Sequence, residues 1–178
     1  MSRKTISIAW IWIVLGTLAG AGEHHDHAVV AGPGDARFEF LKRLAGTWQA
    51  EEGMDGQLAA QWEFRVTAGG SAVEEREFVG TPMEMVTLYY MDGGDLRATH
   101  YCALGNRPQA VATRGSGDAA LEFGCTGTPG GAASHDEEHV HGWKFRLDAD
   151  GRLHMNASIV KAGESGSAPA LVLDRTDG

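Results

Sequence analysis

Basic residues are scarce in this chain: 15 Lys+Arg stand against 24 Asp+Glu, for a formal net charge of −9. The few that are present form no cluster. Nucleic acid and anionic membrane surfaces are therefore not the expected partners, because both need concentrated positive charge. Cysteine is scarcer still, with only Cys102 and Cys125, so no disulfide framework replaces a hydrophobic core. The two fall in different predicted strands with another strand between them, and next-nearest strands lie roughly 9–10 Å apart. That exceeds the usual reach of a bridge, yet an oxidising compartment would favour one, so a disulfide and two buried thiols both stay open. No Gly-x-Ser-x-Gly, P-loop or Cys-x-x-Cys occurs, which removes the common signatures of serine hydrolysis, nucleotide binding and dithiol redox chemistry. Long apolar runs are absent except for Ile6 to Leu18, which falls short of the ~20 residues of a bilayer span.

That run has a positive Ser2-Arg3-Lys4 before it and a small-residue Ala19-Gly20-Ala21 after it. This is the pattern of a secretory signal peptide over residues 1–21, and it implies an exported chain, periplasmic or extracellular, with no membrane attachment after cleavage. Loss of Arg3 and Lys4 would leave 13 basic residues against the same 24 acidic ones. Residues 22–34 (GEHHDHAVVAGPG) read as a flexible His-rich leader. With cleavage after Ala21, the amine of Gly22 and His24 would form a square-planar Cu(II) or Ni(II) chelate; an incidental His-rich tail is the plainer reading.

Asp35 to Leu44 places Phe38, Leu41 and Leu44 at helical spacing behind an Asp cap, which predicts one short helix. Beyond it the pattern is of short strands: 45–52, 58–67, 71–79, 83–91, 95–104, 109–115, 119–126, 138–147, 152–160 and 169–175. They are separated by turn residues, among them Gly69-Gly70, Gly93-Gly94, Gly105-Asn106-Arg107-Pro108 and Asp150-Gly151. About 8–10 antiparallel strands with mostly short links predict an all-β, closed up-and-down barrel over residues 35–178. Closure removes the exposed sheet edges. Residues 127–137 are the one long connection.

Hairpin registers refine this. A turn centred on Gly93-Gly94 sets Met85, Thr87 and Tyr89 opposite Cys102, His100 and Ala98. A turn at 105–108 sets Cys102 opposite Val111, and the next sets Val111 opposite Phe123. One face then carries Met85, Tyr89, His100, Cys102, Val111, Leu121, Phe123 and Cys125, apolar enough to be the interior. In EHVHGWKF, alternation puts His139, His141, Trp143 and Phe145 on one face. Trp62, Phe64 and Val66 repeat the alternation. A slip of one residue would invert any of these faces.

The expected cavity is thus lined by Met85, Tyr89, Cys102, Phe123 and Trp143 with His100, His139 and His141. That mixture suits a small, partly apolar ligand with a polar or anionic group. The same three histidines would alternatively suit Zn2+ with an open fourth position, or one of them an axial haem bond. Cys102 beside His100 resembles a thiol–imidazole pair but shows no third orienting residue. Glu75, Glu77 and Glu84 read as a solvated face, Asn106 as a turn residue, and oligomeric state is undetermined. The expectation is a binding protein rather than an enzyme.

Leu44-Ala45-Gly46-Thr47-Trp48 resembles the Gly-x-Trp opening of lipocalin-like (calycin) barrels. In those, a short helix leads into the first strand, the Trp plugs one end and an Arg from the last strand packs over it; Gly46, Trp48 and Arg175 would take these roles. The run 69–108, with Thr-His-Tyr-Cys-x-x-Gly-Asn-x-Pro at Thr99 to Pro108, and the later His139-x-His141 resemble a family of bacterial secreted lipocalin-like proteins. The resemblance implies a fold and no particular chemistry, and residues 127–134 depart from it.

Overall fold

The structure, a computed structural model, describes residues 34–50, 60–113 and 119–176. The signal-peptide and leader expectations over residues 1–33, the chain at 51–59 and the predicted turn at 115–117 lie outside the described residues. The single helix α1 (Ala36–Arg43) precedes strands β1 (Gly46–Ala50), β2 (Gln61–Thr67), β3 (Ala72–Glu77), β4 (Met85–Asp92), β5 (Asp95–Tyr101), β6 (Gln109–Ala112), β7 (Ala120–Cys125), β8 (His139–Leu147), β9 (Leu153–Lys161), β10 (Glu164–Ser167) and β11 (Leu171–Arg175). Successive strands pair antiparallel from β1 to β9; β9 pairs β11, and β11 returns to β1. This is a closed ten-stranded antiparallel barrel, consistent with a lipocalin-like fold. Strand β10 lies outside the ring. It pairs with residues 158–161 of β9, leaving residues 153–155 of that strand to β11. The sequence offers no sign of β10, because Glu-Ser-Gly-Ser is exposed throughout and carries no apolar alternation.

Closure is fixed where the chain enters and leaves. Asp35 caps α1, its carboxylate accepting from Arg37 N at 2.9 Å, and the helix buries Phe38, Phe40 and Leu41 against strands β2, β4 and β7. Gly46 follows at φ 134°, a backbone state that side chains disfavour. Trp48 is buried, donates Nε1 to Leu44 O at 2.8 Å and pairs with Arg175 across β1 and β11. The Arg175 guanidinium lies 4.3 Å from the Trp48 ring and donates to the carbonyls of Ala45 and Arg43. One arginine thereby ties the last strand to the helix C-terminus, where the carbonyl ends favour a cation.

Inside, large and small residues alternate along rows across the sheet. Tyr89 pairs Ala98, which pairs Ala110; Ala112 pairs Phe123, which pairs Trp143, which pairs Ala157. Each bulky ring thus has an alanine beside it, and the rings meet one another across the lumen, as where Phe64 meets Phe145 edge to face at 5.8 Å.

Two registers differ from expectation. The Gly93-Gly94 hairpin forms as predicted, with His100 opposite Thr87 and Ala98 opposite Tyr89. The next turn, however, sits at 103–105 rather than 105–108. Cys102 N donates to Asn106 O, and Gly105, at φ 83°, closes a three-residue loop. The parity of β6 therefore inverts: Ala110 and Ala112 are buried, while Val111 pairs Arg97 and turns to the other face. Val66 is likewise 39% exposed, although Trp62 and Phe64 are buried as expected.

The second departure is a β-bulge. Val140 pairs Ile159 and Gly142 pairs Ser158, so His141 is an extra residue in β8. Gly142 is closely packed, because a Cβ there would stand 2.7 Å from Phe123 O of the neighbouring strand. Gly142→Ala should destabilise the fold by about 1–3 kcal/mol, the usual cost of overpacking. Gly124→Ala, where a Cβ meets nothing within 4 Å, should change stability by less than ~0.5 kcal/mol. Urea unfolding of the two variants checks this; equal effects would contradict the close approach.

Candidate functional site

A cavity of about 150 Å³ lies among β2, β3, β4, β5, β8, β9 and β11. Its walls are mostly apolar, including Phe78, Met85, Trp143, Met155 and Ile159, but Glu75, Glu77, Thr87 and His100 form a polar side. These four arrive together because of register. Glu75 and Glu77 pair Phe64 and Trp62 on β2, Glu75 also pairs Thr87 on β4, and Thr87 pairs His100 on β5. Residues directly opposite share a face, so two carboxylates follow the buried aromatics inward. The solvated glutamate face therefore does not hold for Glu75, which is 1% exposed.

A buried relay supports this side of the cavity. Trp143 Nε1 donates to Tyr89 Oη at 3.0 Å, and Tyr89 donates to Glu75 Oε2 at 2.5 Å. Burial, followed by the neighbouring Glu77 charge, holds the Glu75 carboxyl well above its ordinary range. Burial and the Glu75 charge do the same to Tyr89, which stays a phenol. His100 Nδ1 lies 2.8 Å from Thr87 Oγ1 and 3.4 Å from Glu77 Oε1. Burial alone would depress its basicity, but the Cys102 sulfur and the Glu77 carboxylate outweigh that and lift it to about 10. The cavity thus holds a Glu75 carboxyl of raised pKa and, at neutral pH, an imidazolium at His100.

Trp62 Nε1, Glu75 Oε1 and His100 Nε2 make no hydrogen bond of good geometry with any described residue, although the Trp62 indole still acts on the Glu75 carboxyl and the Cys102 sulfur on His100. Buried polar atoms ordinarily have partners. Their grouping gives an otherwise apolar cavity one polar side.

The expected site residues divide. His100, Met85 and Trp143 line the cavity. Tyr89 belongs to the relay behind it, Cys102 is half-buried beside His100, and Phe123 stacks on Trp143 at 5.2 Å and borders a second hollow of about 190 Å³. His139 and His141 are not among the residues lining either space. The bulge at His141 breaks the alternation assumed from Trp143, so Val140 lines the cavity and fully buried His139 pairs with Val160 instead.

His139 and His141 come together away from His100. Their ligand atoms and the Cys125 sulfur lie within 4.8 Å of one another. Cys102 and Cys125 are both free. The His135 ring packs 4.9 Å from His139 and 5.1 Å from His141. His141 is held below its ordinary basicity by burial and then by the charges His135 and His139 carry when protonated. The loop bearing His135 is held by the hairpin after Cys102: Arg107 and Gly130 exchange backbone hydrogen bonds, and Asn106 Nδ2 donates to Glu138 O at 2.8 Å. Asn106 is thus a buried tether as well as a hairpin residue.

Glu75 and His100 both hold protons more tightly folded than unfolded, where their ordinary values are 4.5 and 6.5. The His100 contribution to stability is complete below pH 6.5 and is lost as pH rises through about 10. Glu75 acts in the same direction, from its ordinary value upward. Thermal unfolding should show Tm falling between pH 6.5 and 10, by about 2–4 °C per kcal/mol lost, with a flatter profile in His100→Gln. A Tm that rises over this range would contradict the assignment.

No protein-family model matches the chain, and comparison with curated proteins finds no similar one.

Proposed function

We propose that this chain is an exported carrier that binds one small, partly apolar molecule in the barrel cavity, its polar end an oxygen that accepts hydrogen bonds. The observation that carries the reading is the polar side made by Trp62, Glu75, Glu77, Thr87 and His100 in an otherwise apolar wall. An imidazolium at His100 and the Trp62 indole donate, as does Glu75 when protonated, so a carbonyl, carboxylate or hydroxyl oxygen would satisfy them. The Glu77 carboxylate beside His100 favours a neutral acceptor over a fully charged one. Size limits the rest: a cavity of about 150 Å³ takes a molecule of roughly benzene's dimensions. Export is supported by the sequence pattern of residues 1–21 alone.

Binding leaves a direct optical record, because Trp62 and Trp143 both border the cavity. Small aromatic ketones, alcohols and acids titrated into the protein should shift its tryptophan emission saturably, and native mass spectrometry should show one ligand per chain. Ala157 also lines the cavity, so Ala157→Phe should fill it and weaken binding at least ~10-fold, equivalent to about 1.4 kcal/mol. His100→Leu, which removes the donor, should favour ligands without the acceptor oxygen. Undiminished binding in Ala157→Phe would place the ligand elsewhere.

A further inference from the structure

We infer that Cys125, His139 and His141 form a binding site for one transition-metal cation of the zinc class, separate from the cavity. Among the described residues they are the one group of three or more His, Cys, Asp or Glu residues whose ligand atoms converge, all within 4.8 Å of one another. A thiolate and two imidazoles are a ligand set that Zn2+ prefers.

The histidines are prepared for such a role. His139 is fully buried, and its Nδ1 lies 2.7 Å from Glu137 O. A carbonyl only accepts, so Nδ1 carries the hydrogen and the neutral ring keeps its lone pair on Nε2. That nitrogen is buried and makes no hydrogen bond with any described residue, and the same holds for Nδ1 of His141. A backbone carbonyl fixing the tautomer from the far side is the usual support of a metal-bound imidazole.

The bulge between Val140 and Gly142 takes His139 off the face of Trp143 and Phe145, and the His139 and His141 rings lie 5.6 Å apart. Imidazoles sharing one tetrahedral ion, with nitrogens about 2.0–2.1 Å from it, have ring centres about 5 Å apart. The separations among His135, His139 and His141 run from 4.9 to 5.6 Å. His135 packs edge-on beside both rings, outside the group whose ligand atoms converge. Drawing the three principal ligand atoms onto an ion asks for side-chain adjustment and no change of strand register.

Cobalt(II) titration of the reduced, metal-stripped full chain tests the site, since a Co2+–thiolate bond gives a near-ultraviolet charge-transfer band that histidines alone do not. That distinction sets aside any ion held by His24, His25 and His27. The band should saturate at one equivalent, disappear on addition of Zn2+, survive in Cys102→Ser and be absent in Cys125→Ser. His141→Gln, at a half-buried position, should weaken the affinity at least tenfold while near-ultraviolet circular dichroism stays native, and it carries the test should Cys125→Ser fail to fold. Absence of the band in the unaltered chain, its survival in Cys125→Ser, its dependence on Cys102, or indifference to His141→Gln would each overturn the site.

Discussion

The inserted residue in β8 is the constraint on which the functional architecture turns. A regular strand would have carried His139, His141, Trp143 and Phe145 to one face. With His141 extra, Trp143 and Phe145 keep the inner register while Val140, not His139, borders the cavity. The barrel thereby gains two chemically distinct places: an apolar cavity with a protonated histidine, and a cluster of imidazoles beside a thiol. Gly142 allows the two strands at the bulge to approach, since any side chain would meet Phe123 O. A bulge also strengthens local twist, which helps a sheet of ten strands close.

The hairpin after β5 connects these two places. His100 enters the cavity, Cys102 supports His100, and Asn106 and Arg107 then grip the loop that carries His135 and leads into His139. Gly131 fits because a Cβ there would stand 3.1 Å from Gly105 O. A change at Asn106, which stands opposite Cys102 in the hairpin yet outside the cavity, would thus act on the histidine cluster through Glu138. The Thr99–Pro108 stretch and the His139-x-His141 pair, distant in sequence, are parts of one assembly.

Much of the barrel was legible because turn chemistry and alternation agree. Asp35 before Phe38, and Gly93-Gly94 between two alternating runs, each specify a local geometry that the structure adopts. The arginine over Trp48 was legible only through resemblance. The inward glutamates were within reach: centring the β2–β3 turn on Gly69-Gly70 and placing Trp62 and Phe64 inside sends Glu77 and Glu75 inside with them. Charge argued against that reading, yet burial and the neighbouring Glu77 charge hold the Glu75 carboxyl well above its ordinary range, against the opposing hydrogen bond from Tyr89. The β6 face was misread because Gly105 closes a shorter loop than the Gly-Asn-Arg-Pro run implies. The bulge was not legible, since period-two reasoning contains no term for an extra residue.

The central claim is that one barrel holds its histidines in two different hydrogen-bonded settings, and long-range proton–nitrogen NMR of the imidazole rings tests it most directly. At pH 8 the account predicts His100 with both nitrogens protonated, as a group titrating near 10 requires. It predicts His139 with its hydrogen on Nδ1, fixed by Glu137 O. A neutral His100 at that pH, or an Nε2-protonated neutral His139, would contradict it.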